Sequence, residues 1–178
     1  ALDIKNNNNI KTIVRTAVST ITGQVREQTY KENQDVLKGE EWSATLDGRT
    51  RKEHAIYDGS WWDFEGKGLN AKGKANPYKQ AGREWNCRCV MVPVVKSFKE
   101  LGILLDEIPI GTRSSMDGYV SREKKKKKWF EGKPKSFQEE YLGVQRYKLF
   151  KDGVINFSDL VNQNSKTLTV KQLKEKYS

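Results

Sequence analysis

Ile10, Ile13, Val14, Ala17, Val18, Ile21 and Val25 recur at spacings of three and four residues. That is the apolar stripe of an amphipathic helix, and it constrains the chain more than any other stretch. The spacing predicts helix from about Asn9 to Glu32, with the polar "NNNN" at 6–9 available to cap it. Thr and Val are mediocre helix formers, so such a helix is expected to depend on burying its apolar face.

The period then changes. Trp42, Ala44 and Leu46 alternate with Ser43 and Thr45, which reads as a strand over 41–46 ending at Asp47-Gly48. "TRKE" has the form of a capping box, Thr50 capping a short helix and Glu53 reaching back, with Asp58-Gly59 ending it after about two turns. Residues 60–84 are too rich in Gly, Asn, Lys and Pro for a long regular element, and Trp61, Trp62 and Phe64 are expected to pin their start. "NCRCVMVPVV" reads as a strand, on an edge or carrying a bulge because of Pro93. "SFKELGILLDE" reads as a helix capped by Ser97 with Glu100, and "IPIGTRSSMDGYVSRE" as a second loop. From Pro134 the chain reads as helical, with breaks at Gly143 and Gly153 and a last helix capped by Thr169 with Gln172.

Seven Tyr, six Phe and five Trp in 178 residues supply the apolar area of a folded chain. Lys and Arg number 33 against 23 Asp and Glu, a net charge of +10, which suits an anionic partner such as nucleic acid or a simply soluble surface. No apolar run approaches the roughly 18 residues of a membrane span, and no signal-peptide pattern opens the chain. No membrane partner is expected, and synthesis in the cytoplasm is. Two cysteines one residue apart exclude a secreted disulfide framework.

Those cysteines, in "NCRC", carry the chemistry to be weighed. In a strand Cys87 and Cys89 face the same side, about 6.5 Å apart at Cα, with nearly parallel Cβ vectors that disfavour a disulfide. With the lone imidazole of His54 nearby they can hold zinc, the fourth position going to Asp47, Asp58 or water. The competing reading is a small buried pair of thiols with His54 in ordinary hydrogen bonds. Enzymatic readings use the same residues: a nucleophilic Cys87 or Cys89 with His54, or a metal-free ribonuclease with His54 beside Arg49, Arg51 or Arg88.

"REKKKKK", Arg122 with Lys124, Lys125, Lys126, Lys127 and Lys128, is the densest charge run, followed by Trp129 and Phe130. It can contact DNA phosphates without reading bases, or be a solvated face. Lys67, Lys72, Lys74 and Lys79 add a second patch, of which Lys72 and Lys74 are the candidate DNA contacts.

A long helix, then "EWSATLDGRTRKEHAIYDG", a variable loop and "WNCRCVMVPV" resemble the Mu F-like minor head protein family of tailed bacteriophages. The matched positions are Trp42, Asp47, Arg49, Thr50, Arg51, His54, Asp58 and Gly59, then Asn86, Cys87, Arg88 and Cys89. The resemblance is clear over about 10–95, and the tail from Phe137 is similar to the ending of many members. Trp85 stands where a His-Pro pair often precedes the second motif, which removes one further candidate ligand. The resemblance implies a low-copy virion component inside the capsid near the portal, acting in head morphogenesis or genome delivery. It implies a structural role for the motif: Asp47, Arg49 and Arg51 pairing across the turn, and His54, Cys87 and Cys89 tying helix to strand, with or without zinc.

The expected fold is α+β: a long N-terminal helix, a small antiparallel sheet including 41–46 and 88–95, and a helical C-terminal third. Residues 1–133 are read as the core domain, with the lysine run on a basic loop, and 134–178 as a helical extension packed on it. The expected function is a minor head protein with portal and sequence-independent double-stranded DNA as partners, binding rather than turning over. The alternative is a phage-encoded toxin of nuclease or ADP-ribosyltransferase type, using His54 and its neighbouring arginines.

Overall fold

The computed structural model describes residues 2–70, 73–106, 111–162 and 166–177, with side chains from residue 7 onward. The fold is α+β, with a long N-terminal helix, a small antiparallel sheet and helices in the C-terminal part. Contacts group the chain into two units: Ala1–Ala44 with Tyr57–Pro109, and Thr45–Ile56 with Ile110–Ser178. Residues 134–178 thus fall in the second unit together with 110–133 and the short 45–56 segment.

In the first unit, helix α1 runs Leu2–Glu32, so the asparagines at 6–9 lie inside it rather than capping it. Four strands follow: β1 (Leu37–Ser43), β2 (Trp61–Trp62), β3 (Gly68–Leu69) and β4 (Val90–Val95). They form an antiparallel sheet in the order β3-β2-β1-β4, and Pro93 sits on the edge strand β4, where a missing N–H costs no ladder bond. The Trp42, Ala44, Leu46 alternation holds, all three being buried, although regular pairing stops at Ser43. Trp42, Ala44, Trp62, Ala81, Cys87, Cys89 and Met91 make this unit's core. The backbone packs closely there: a Cβ on Gly68 would fall 2.0 Å from Trp62 Cδ1, and one on Gly39 would fall 2.1 Å from the Trp62 carbonyl oxygen.

The apolar stripe of α1 is not buried. Ile10, Ile13, Val14, Val18, Ile21 and Val25 are each 54–60% exposed. The helix turns its polar side inward instead, through Thr12, Thr16, Ser19, Gly23, Glu27 and Tyr30. Hydrogen bonds replace burial: Asn86 N–H donates to Thr16 Oγ1 (3.2 Å), Gln80 Nε2 to Glu27 (2.8 Å) and Tyr30 Oη to the Met91 carbonyl (3.4 Å). The expected helix after Ser97 is also reduced. Ser97 and Glu100 do exchange their capping bonds, but only a single turn forms before Gly102.

The second unit contains α2 (Lys52–Ala55), the hairpin β5 (Thr112–Ser115) and β6 (Gly118–Ser121), and helices α3 (Lys126–Glu131), α4 (Lys135–Leu142), α5 (Val144–Lys151) and α6 (Val170–Tyr177). A 3-10 turn spans Phe157–Leu160. The hairpin occupies part of the expected second loop, turning at Met116-Asp117, and its pairing needs no apolar alternation to form. Phe130 is fully enclosed, its ring 5.3 Å from Tyr141, 5.4 Å from Phe157 and 5.9 Å from Phe150, centre to centre. Leu46, Ala55, Leu142, Leu160 and Leu173 complete this core.

The two expected capping boxes of this unit differ. Thr169 and Gln172 form theirs as read. Thr50 and Glu53 do not: the Thr50 hydroxyl donates to the Thr45 carbonyl (2.6 Å), while Glu53 accepts from the amide and hydroxyl of Thr167. Long-range partners outcompete the local box, and α2 lasts a single turn.

Candidate metal centre and basic surface

The turn before α2 is built by Asp47, whose Oδ1 accepts the N–H groups of Arg49 and Thr50, both at 2.9 Å. This presents Arg49 and Arg51 outward, while His54, one turn on, is only 2% exposed. The "NCRC" segment precedes β4 as an irregular stretch rather than a strand, yet its burial alternates. Cys87 and Cys89 are buried and Arg88 is exposed. Asn86 sets this up by adopting a left-handed backbone, φ +53°, which Asn tolerates better than most residues.

His54, Cys87 and Cys89 meet. One ligand atom from each lies within 4.8 Å of the other two, all three residues are buried, and neither thiol is in a disulfide. Among the described residues this is the one such group of histidine, cysteine and acidic side chains. Two soft sulfurs and an imidazole in a closed setting are a donor set that can hold a metal ion.

The acids read as a fourth ligand are outside this group. Asp47 is engaged in its turn, and Asp58, 3% exposed, accepts the Ala44 N–H at 2.7 Å. Both carboxylates fasten backbone.

The lysine run is divided by the fold. It opens α3 rather than a loop, and Lys126 is fully enclosed in the second core. Its ammonium donates to the carbonyls of Thr45 and Asp47 and lies over the Trp129 and Tyr141 rings. An amine held there does not reach a phosphate. Lys125 is half-buried; Arg122, Lys124, Lys127 and Lys128 are exposed, Lys127 lying 3.7 Å from Glu131. In the first unit Lys74 is exposed, Lys72 lies outside the described residues, and Lys67 and Lys79 are paired with Glu65 and Glu84.

Missed from the sequence is a cleft in the second unit, with a volume of about 280 Å³, lined by Arg49, Arg51, Lys52, Tyr141 and Glu140 among others. Burial pushes the Lys52 amine down from its ordinary range, and the charge of Arg146 pushes it further. "RTRK" was the available signal.

Residues 2–92, just over half of the chain, match the family model described as Phage Mu protein F like protein. The chain belongs to that family, which points to a phage head-related protein and to the virion. The match ends before the tail that also looked similar. An uncharacterized protein of Haemophilus influenzae is 35% identical over 63 residues, covering 34% of this chain and 12% of that protein, so the chain spans a small part of that relative. No solved structure matches. No helix among the described residues is long and apolar enough to cross a membrane.

Proposed function

We propose that this protein is a minor head component of a tailed phage or prophage. It acts in head morphogenesis or genome delivery inside the capsid near the portal, and binds packaged double-stranded DNA without reading its sequence. One observation carries the DNA reading. The second unit holds 19 Lys and Arg against 10 Asp and Glu, and the first holds 14 against 13, so nearly all of the net charge belongs to one unit. Exposed Arg122, Lys124, Lys127 and Lys128, with the cleft of Arg49, Arg51 and Lys52, provide phosphate contacts on that unit. Lysines on phosphates give affinity that falls steeply with salt and is indifferent to base sequence. A gel-shift titration across salt tests this. Retardation at low salt with a shallower slope for Lys124→Ala/Lys127→Ala/Lys128→Ala is expected; no retardation at low salt would end the DNA role.

The enclosure of His54 supports a structural centre over a toxin's catalytic one, since catalysis needs the imidazole in an open cleft. Zinc suits a buried Cys₂His set, with water or a backbone group as fourth ligand.

A further inference from the structure

We infer that α1 is a self-association surface on which a second copy of this chain packs, antiparallel, through the exposed apolar stripe. Polar side chains hold the helix to its own unit, so the six aliphatic residues from Ile10 to Val25 are left for something else. They lie along roughly 22 Å of helix. Side chains of this kind, each more than half exposed, hold on the order of 400–500 Å² of apolar surface. With flanking polar residues, two copies would bury roughly 1,200 Å² in total, which reaches the size of a specific interface.

The stripe is self-complementary. Val14, Val18, Ile21 and Val25 are spaced four, three and four apart, the alternation of a helix-pair seam. About a two-fold axis between Val18 and Ile21, Val18 faces Ile21 of the second copy and Val14 faces Val25. Lys11 then faces Gln28, about one turn from Glu32. A parallel pair would instead set Lys11 against Lys11 at the seam itself. Charge thus selects the antiparallel arrangement, and the contact closes as a dimer rather than propagating. A hollow of about 210 Å³ bordered by Val18, Thr22 and Arg26 of α1 lies beside the seam and can take a side chain of the second copy.

Sedimentation equilibrium of the whole chain tests this. A reversible dimer with a dissociation constant on the order of 10 μM is expected. Val18→Asp/Ile21→Asp should weaken it at least tenfold, with the helical circular dichroism unchanged because both positions face solvent in the single chain. Mixed Val14→Cys and Val25→Cys chains should cross-link to one another far faster than Val14→Cys chains do to themselves. A monomer at every concentration, a dimer indifferent to the aspartates, or cross-linking without register preference would each overturn it. A stripe reserved for a different head protein gives the first of these outcomes.

Discussion

The ammonium of Lys126 lies 4.3 Å from the centre of the Trp129 ring, in the interior of the second unit. One member of a five-lysine run is thus structural while its neighbours remain at the surface. Lys126→Ala is expected to destabilise the fold by about 3 kcal/mol, from the lost stem packing and the lost ammonium bonds to the Thr45 and Asp47 carbonyls. Lys124→Ala and Lys128→Ala should stay within about 0.5 kcal/mol of the parent. Urea unfolding of the three variants checks this, and equal midpoints would refute it.

Metal content is the direct check on the His54, Cys87 and Cys89 cluster. Protein purified without chelator is expected to carry about one equivalent of zinc and to lose melting temperature when EDTA removes it. Cys87→Ser, Cys89→Ser and His54→Ala should each abolish the metal and the EDTA response together. Because the ligands must be deprotonated, acid should release the ion as well. Elemental analysis below about a tenth of an equivalent would leave the cluster as a metal-free polar core.

Glu40 gives a pH dependence of definite sign. It is 4% exposed, its Oε1 accepts the Tyr78 hydroxyl at 2.6 Å, and its Oε2 has no hydrogen-bond partner. Burial raises its pKa above the ordinary value of 4.5, outweighing the Tyr78 bond that lowers it. The native state therefore holds this proton more tightly than the unfolded chain. Its contribution is fully present below pH 4.5 and is lost as pH rises through the raised folded value. Glu40→Gln, which has no proton to lose, should gain stability relative to the parent as pH rises from 5 to 8. Melting temperatures across that range that run parallel would count against it.

Gly68→Ala is expected to cost at least about 2 kcal/mol, because the added methyl lands on the enclosed Trp62 ring, which has no room to yield. Gly73→Ala serves as the control: it meets nothing within 4 Å, although its φ of +76° adds some strain. Thermal melts of the two should separate clearly. Equal losses would mean that strain, not crowding, governs both.

Local pattern carried the helix, the edge strand with Pro93 and the C-terminal breaks, whereas grouping His54 with Cys87 and Cys89 took the resemblance of two distant motifs to one family. What it could not carry was competition. The period of Ile10 to Val25 identifies a helix, but which face packs depends on partners such as Asn86 and Gln80, far along the chain. Thr50 and Glu53 have the local form of a capping box and are claimed by Thr45 and Thr167 instead. Lys126 was hidden among identical neighbours. Its one distinguishing sign was position, three and four residues before Trp129 and Phe130, hence on their face of a helix.

The division of the chain bears on how it comes off the ribosome. Residues 45–56 leave the exit tunnel in the middle of the first unit, yet Leu46 and Ala55 find their apolar neighbours in Phe130, Tyr141 and others made much later. That segment must wait, held open between Ala44 and Tyr57, until the C-terminal helices exist. A nascent chain halted near residue 109 would therefore display Leu46 to solvent, a natural foothold for a chaperone.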